Sequence, residues 1–186
     1  MDIIVESFTT FVRERFIRYR IGRKFYPNGP YPGDQHGQNP YIKTEADVQV
    51  KYGGYLESWL IDRYPELTVH AELPVYSNSH ERADLTLHRI GSGKYWVSRQ
   101  QILETLEYII EIKLANVVSP YYDFKKGGID KDIRLLQSIP GRVKRYLILI
   151  DEAELIDPNR IKRFIEDTSA YEITIVSNNP KLNSAT

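Results

Sequence analysis

The sequence predicts an α/β protein with a mixed central β-sheet that is flanked by helices on both faces. Three observations support this fold class. Strand-like segments at residues 68–76 and 83–89 are separated only by a turn-forming stretch, which favours an antiparallel pair. Helical and strand-like segments then alternate, which favours parallel strands joined by crossover helices. The continuous apolar run at residues 146–150 (YLILI) is typical of a buried central strand.

An N-terminal extension is expected over residues 1–43. Apolar residues recur at threes and fours over residues 3–20, which predicts a helix, and its later part is rich in arginine, including Arg15 and Arg18. Residues 27–40 are dense in Pro, Gly and Asn and predict a loop. The arginines are candidate contacts for backbone phosphates. The alternative is the solvent-facing side of a helix that packs on the domain.

The main domain is expected to span residues 44–180. Its first helix begins near residue 44, carries Glu45 in the first turn, where the helix dipole favours acidic side chains, and ends near residue 64 before Pro65. The later elements predicted are strands at residues 68–76, 83–89, 107–115, 146–150 and 171–176 and helices at residues 129–139 and 158–168, with a short helix before the third strand. Residues 181–186 are expected to form a loose tail.

Composition narrows the functional classes. The 186 residues include 25 basic and 25 acidic side chains, and a net charge of zero argues against a protein that only coats nucleic acid. The absence of cysteine excludes disulfides and thiolate zinc sites. No apolar run is long enough for a membrane span, and the start lacks a signal-peptide pattern, so a cytoplasmic protein without a membrane partner is expected. No phosphate-binding G-x-x-x-x-G-K-[ST] motif occurs, so no nucleotide cofactor is expected.

Charged residues interrupt two of the predicted strands. Glu111 and Lys113 alternate with Ile110 and Ile112, so the two charged side chains share one face of their strand. If the strands are neighbours, Asp84 lies beside Glu111. Two adjacent carboxylates repel each other unless a cation lies between them, and Mg²⁺ prefers such oxygen ligands. The sequence therefore predicts a divalent metal site, with the charge of Lys113 beside it; the alternative is a structural ion pair.

Asp84, followed 27 positions later by Glu111-Ile112-Lys113, resembles the motif of the PD-(D/E)XK nuclease superfamily, and the resemblance covers about residues 44–150. It implies a restriction-endonuclease-like fold and a metal-dependent nuclease, with DNA as the expected substrate. Asp84, Glu111 and Lys113 would be the catalytic residues. The two carboxylates and the carbonyl of Ile112 would bind Mg²⁺, for which Mn²⁺ is the expected substitute.

The family often adds an acidic ligand from the helix before the sheet. Glu45 resembles this position in restriction-type nucleases, and Glu57 resembles it in junction resolvases, so both stay candidates. Related nucleases also place a polar residue near the substrate phosphate after the E-x-K strand, which makes Lys131 and Gln137 candidates for nucleic-acid binding. A solvated helix face is the alternative for both. Ala83 occupies the position that Pro has in the PD-(D/E)XK motif.

Two alternatives stay open within this resemblance. The chain could be a catalytically inactive nuclease-fold subunit that binds or organises a DNA-processing or defence complex. An active enzyme could be restriction-, repair- or resolvase-like. Because such enzymes commonly act as dimers, a homodimer is also conceivable, with the N-terminal extension as a dimerisation or DNA-clamping element.

Overall fold

The computed structural model describes residues 2–16, 45–77, 80–90, 96, 98–115, 128–151, 156–168 and 170–183. The helices are α1 (Ile3–Phe11), α2 (Glu45–Ile61), α3 (Arg99–Thr105), α4 (Ile129–Gln137), α5 (Pro158–Thr168) and α6 (Pro180–Asn183). The strands are β1 (Leu67–Leu73), β2 (Ala83–Arg89), β3 (Leu106–Ala115), β4 (Lys144–Asp151) and β5 (Ile173–Ser177). Among the residues described, no helix is long and apolar enough to cross a membrane.

The five strands form one mixed sheet in the order β1-β2-β3-β4-β5. The first three strands are antiparallel, and β3, β4 and β5 are parallel. Leu85 of β2 lies opposite Ile110 of β3, which places Asp84 and Glu111 at the next position along the two strands. The predicted mixed sheet is therefore confirmed, and so is the neighbourhood of the two strands that carry the charged motif.

Helices cover both faces of the sheet, as predicted. On one face, which we call the α2 face, α1 and α2 pack against alternate residues of β3 and β4, including Ile110, Ile112 and Ile148. On the other, the α4 face, α3 to α6 pack against Ile109 and Leu147. This alternation follows from the two-residue period of a strand. It buries apolar side chains on both faces and leaves Glu111 and Lys113 on the α4 face.

The helix of the expected extension belongs to the core of the domain. Phe8 and Phe11 pack against Tyr52 of α2, with ring centroids 5.4 Å apart in each pair. The hydroxyl oxygen of Ser7 lies 2.9 Å from that of Tyr52. The helix predicted over residues 3–20 ends as an α-helix at Phe11, and a π-helical turn follows it. The apolar face of α1 is thus buried within the domain.

Helix α2 packs closely on β2. A Cβ atom at Gly53 would lie 3.1 Å from Cδ2 of Leu85, so the missing side chain permits this approach. The helix ends at Ile61, three residues before the predicted end, and the N–H groups of Arg63 and Tyr64 both donate to the carbonyl of Leu60 in the closing turn. Pro65 disfavours helical geometry at the residue before it, which explains why the helix cannot continue.

The tail predicted as loose is partly ordered. Helix α6 occupies Pro180–Asn183, and its Leu182 is fully buried. The side chain of Asn183 accepts a hydrogen bond from the N–H of Ser177 and donates one to its carbonyl, at 2.7 and 3.0 Å. The short helix therefore closes the end of β5. Residues 184–186 lie outside the described part of the chain.

Candidate active site

The site forms where β2 stops pairing with β3. The pairs of these strands extend to Leu85 and Ile110, and beyond them two N–H groups of β3 point towards the gap. The N–H of Ile112 donates to Oδ2 of Asp84 at 2.7 Å, and that of Leu114 donates to Oε1 of Glu45 at 3.4 Å. Two carboxylates thus take the place of a strand partner along this edge of β3.

Asp84 and Glu111 lie side by side, in the arrangement that the strand register implies. Their carboxyl groups are within hydrogen-bonding reach of each other. Glu111 is only 4% exposed, and its Oε1 also accepts a hydrogen bond from the hydroxyl of Tyr76, which is itself buried. The structure therefore brings together the two residues that carry the predicted metal site.

Lys113 is held between carboxylates of two helices. Its Nζ lies 3.1 Å from Oδ2 of Asp132 in α4 and 3.3 Å from Oε2 of Glu45 at the start of α2. The lysine side chain is 17% exposed and that of Glu45 is 44% exposed, so the ammonium is largely enclosed while one of its partners still reaches solvent. Asp132 is as buried as Glu111, at 4%.

The site is short of positive charge. Among the residues described, Glu45, Asp84, Glu111 and Asp132 contribute four carboxyl groups to the site, whereas Lys113 contributes one ammonium. Burial, and then the charges of Asp84 and Asp132, raises the pKa of Glu111 well above its usual range. Holding several carboxylates in so small a volume is unfavourable unless protons or cations compensate them.

The other titratable groups of the site respond to the same crowding. Burial raises the pKa of Asp132 to about 7, although the ammonium of Lys113 acts in the opposite direction. Burial also raises the pKa of Asp84, against the hydrogen bond from the N–H of Ile112. Burial alone would lower the pKa of Lys113, but the carboxylates of Asp132 and Glu45 outweigh it and hold the pKa above its usual value. Lys113 therefore stays charged.

Glu57, the alternative to Glu45, lies away from this site. Its Oε2 accepts a hydrogen bond from the N–H of Val69 at 2.9 Å, on the outer edge of β1 and two strands from β3. The side chain thus covers an exposed strand edge, a common way to prevent edge pairing. The geometry selects Glu45 as the helix carboxylate of the site, and Glu57 is excluded from it.

The structure gives few contacts for the residues that were predicted to bind nucleic acid. Lys131 extends from the exposed side of α4, and its Nζ lies 2.7 Å from Oε2 of Glu81. Gln137 is half-buried at the last position of the same helix. Arg18 and the side chain of Arg15 lie outside the described part of the chain. The ion pair of Lys131 is with Glu81, which is not one of the four carboxylates of the site.

Three residues of the site were missed by the sequence analysis. Asp132 had a detectable signal, because it shares a helix face with the apolar residues Ile129 and Leu136, where a charge is out of place. Gln49 lies one turn after Glu45 and donates from Nε2 to the carbonyl of Asp84 at 2.7 Å. Tyr76 carried no signal, because nothing in the sequence indicates which strand the chain approaches after β1.

The chemistry of the donor groups fits a hard divalent cation. Asp84, Glu111 and Glu45 offer carboxylate oxygens, and Mg²⁺ prefers such ligands together with carbonyls and water. The carbonyl of Ile112 points to the same strand edge as its N–H, which is the edge occupied by Asp84. Oδ2 of Asp132 is buried without an aligned hydrogen bond. The oxygen types that the resemblance requires are therefore present.

Each of the three carboxylates already has a hydrogen-bond or ion-pair partner within the protein. Over the described ranges, no group of three or more His, Asp or Glu side chains is arranged to hold a metal ion directly. Asp84 is engaged by the N–H of Ile112, Glu111 by Tyr76, and Glu45 by Lys113. A cation would have to replace some of these contacts.

No protein-family model, curated protein or solved structure matches this chain. The architecture is an α/β fold with a five-stranded mixed sheet, helices on both faces and an N-terminal helix packed into the core. Any assignment of function rests on the chemistry of the site.

Proposed function

We propose that this protein is a Mg²⁺-dependent phosphodiesterase, a nuclease with a restriction-endonuclease-like fold and DNA as its substrate. The observation that carries the proposal is the pair of carboxyl groups of the half-buried Asp84 and the buried Glu111, within hydrogen-bonding reach of each other and one pleat from Lys113. This set combines the charges needed to bind a cation and a phosphate group at the same point of the sheet.

The carboxylate pair supports a cation site because its own energetics favour one. Burial raises the pKa of both Asp84 and Glu111, so a second negative charge is costly when no cation is near. Asp84, Glu111, Glu45 and the Ile112 carbonyl would hold the ion. A bound Mg²⁺ supplies Lewis-acid polarisation of a phosphoryl oxygen and lowers the pKa of a bound water.

Lys113 provides the remaining element of the proposed chemistry. Its ammonium stays protonated because Asp132 and Glu45 compensate for its burial. A fixed positive charge beside the reacting phosphate stabilises the negative charge that develops on its oxygens and helps to orient the attacking water. The side chain is partly exposed, so a phosphodiester that enters the gap between β2 and β3 could reach it.

The second candidate is an inactive nuclease-fold subunit that binds partners without cleaving nucleic acid. The internal partners of Asp84, Glu111 and Glu45 favour it, because a network that is satisfied without a cation can be purely structural. Against it stands the crowding of four carboxyl groups around one ammonium, which a structural ion pair does not require.

The two candidates differ in cation binding. We expect calorimetric titration with Mn²⁺ to show binding to the wild type and none to Asp84→Asn or Glu111→Gln, which keep the shape of each side chain and remove its charge. Glu107→Gln is the matched control, because Glu107 lies on the same strand and pairs with Arg89 at 3.1 Å, away from the site. Equal Mn²⁺ affinity in all four proteins would exclude the proposed metal site.

Cleavage itself is tested on linear, circular, single-stranded and branched DNA with Mg²⁺ or Mn²⁺. We expect Asp84→Asn, Glu111→Gln and Lys113→Met to lose at least about 100-fold in rate, and Glu107→Gln to cleave like the wild type. Circular dichroism establishes that the variants are folded. If the wild type binds Mn²⁺ but cleaves none of these substrates, the inactive subunit becomes the better interpretation.

A further inference from the structure

The structure points to an additional functional residue on α4. We propose that Asp132 is a positioning residue. It would keep the ammonium of Lys113 beside the reacting phosphate when Glu45 binds the cation. This inference rests on the proposed function. The motif that suggested the site contains no residue from α4, and Asp132 is identified by its contacts alone.

The burial of Asp132 requires an explanation. Its neighbours Lys131 and Arg134 are exposed, whereas Asp132 is 4% exposed and faces the sheet beside Ile133. A carboxylate at such a position loses most of its hydration, and this loss is tolerated only when an opposite charge compensates it. A hydrophobic residue would pack there at lower cost, so the carboxylate serves its partner, which is Lys113.

Asp132 and Glu45 contact Lys113 from different helices. Nζ lies 3.1 Å from Oδ2 of Asp132 and 3.3 Å from Oε2 of Glu45. An ammonium has three N–H donors, so two carboxylates define its position and one donor is left to face a phosphate. Without either partner, a four-carbon side chain on a strand would sample several rotamers, and its charge would be spread over them.

The two partners are not equivalent. Glu45 has a side chain that is 44% exposed, and it is a candidate ligand of the cation. If Glu45 were to bind the ion, its contact with Lys113 would weaken, and Asp132 would be the remaining carboxylate in contact with the ammonium among the described residues. Oδ2 of Asp132 already lies 3.1 Å from Nζ, so this contact does not depend on Glu45.

Asp132→Asn tests this role, with Asp130→Asn as its matched control. Asp130 lies two residues earlier on the same helix and pairs with the exposed Arg134 at 2.7 Å, so the control makes the same chemical change outside the site. Asparagine keeps the size of the side chain and removes a buried charge, so the variant is expected to fold. Any loss of activity is then separable from unfolding, which thermal denaturation monitors.

We expect kcat of Asp132→Asn to fall on the order of 10²-fold. KM for DNA and the affinity for Mn²⁺ should stay within about threefold of the wild type, because Asp132 contacts Lys113 and is not a ligand of the ion in the proposed site. A merely structural role would shift all three quantities together with the melting temperature. Asp130→Asn should match the wild type in each measurement.

A second readout does not depend on cleavage. An ammonium held by two carboxylates exchanges its protons slowly enough to give its own ¹H–¹⁵N signal, which is assigned through its loss in Lys113→Arg. We expect this signal in the wild type and in Asp130→Asn, and we expect it to broaden in Asp132→Asn. A signal of unchanged width in Asp132→Asn would overturn the inference.

The outcomes separate the inference from the function on which it rests. A wild type that cleaves, together with an Asp132→Asn variant that cleaves equally fast, overturns the role of Asp132 and leaves the nuclease proposal standing. A wild type that neither binds Mn²⁺ nor cleaves DNA overturns both. A selective loss of kcat together with the broadened signal supports both.

Discussion

Burial of charge governs the site at the scale of single residues. Glu111 and Asp132 are each 4% exposed, and a neutral or positively charged donor compensates each of them, the hydroxyl of Tyr76 for Glu111 and the ammonium of Lys113 for Asp132. Removing the partner of a buried polar group leaves its full desolvation cost uncompensated, whereas neutralising the group removes that cost. Variants that delete the partners should therefore destabilise the fold more than isosteric amides at the carboxylates.

Tyr76→Phe is the direct test of this asymmetry. The change keeps the ring and removes the hydroxyl that donates to Glu111, so we expect the free energy of unfolding in urea to fall by about 1–3 kcal/mol. Tyr171→Phe provides the comparison, because that side chain is 72% exposed and its loss should cost less than about 0.5 kcal/mol. Equal stability of the two variants would show that the hydroxyl of Tyr76 contributes nothing.

His88 illustrates a buried residue with a different consequence. Its two ring nitrogens each lie 3.0 Å from a threonine hydroxyl, that of Thr86 or Thr105, and its ring packs 4.5 Å from that of Trp96. Burial, with a smaller contribution from His70, lowers the pKa of His88 to about 3. Below pH 6.5 the unfolded chain takes up a proton at this histidine, whereas the folded chain does not. The free energy of unfolding is therefore highest above pH 6.5 and falls as the pH drops towards 3.

The pH dependence of unfolding should reveal this difference. Between pH 7.5 and pH 5 the neutral imidazole of His88 is expected to cost the wild type about 2 kcal/mol in the free energy of unfolding. His88→Gln lacks this contribution, so the gap between the wild type and the variant should shrink by that amount over the same range. His80→Gln, at an exposed position, serves as the reference. A gap that is independent of pH would mean that His88 titrates normally in the folded protein.

At the scale of elements, α2 determines the geometry of the site. Glu45 in its first turn reaches β3, and Gln49 one turn later holds the carbonyl of Asp84 in β2. Residues four apart lie on one face of a helix, so a single face of α2 spans the gap between the two strands. Further along, Gly53 lets the helix approach Leu85, the neighbour of Asp84.

The two adjacent glycines of α2 allow a matched test of this packing. Gly54 has open space around it, so Gly54→Ala should raise the free energy of unfolding by about 1 kcal/mol through helix propensity alone. Gly53→Ala would bring a Cβ within 3.1 Å of Cδ2 of Leu85 and should gain clearly less, or lose stability, because Leu85 must shift. Chemical denaturation of both variants decides this. Equal gains would contradict the close packing.

At the scale of the whole molecule, the site lies between the apolar cores of the two sheet faces, at the point where the pairing of β2 with β3 ends. Apolar layers cover the α2 and α4 faces of the sheet, and the pairing of β2 with β3 ends at Leu85 and Ile110. The carboxylates gather at this break because unpaired N–H groups of β3 need acceptors there. Any ligand that binds these carboxylates in the folded chain alone must stabilise the whole domain.

Mn²⁺ should therefore raise the thermal stability of the protein. At a free concentration of about 100 Kd we expect a gain of roughly 2.7 kcal/mol for the wild type and for Asp130→Asn. Asp84→Asn should show no gain, because it lacks one of the two central carboxylates. The measurement is the melting temperature with Mn²⁺ and with chelator. A gain in Asp84→Asn equal to that of the wild type would place the ion elsewhere on the protein.

Much of the architecture was predictable because it follows from local periodicity. The two-residue alternation of a strand placed Glu111 and Lys113 on one face and Ile110 and Ile112 on the other, and the structure has this arrangement. The boundaries predicted for β2 agree with those observed. The predicted α/β class with a mixed sheet is confirmed as well, because the element order restricts the topologies that are available.

The sequence by itself determined the strands and their faces, and it predicted Asp84 beside Glu111 on the condition that the two strands are neighbours. Only the tertiary structure chose Glu45 over Glu57 and brought Tyr76 and Asp132 to the site. Glu45 reaches Lys113 across 68 positions of the chain. Periodicity describes which side of an element a residue occupies, whereas contacts between distant elements depend on how the cores pack, and no local pattern encodes that packing.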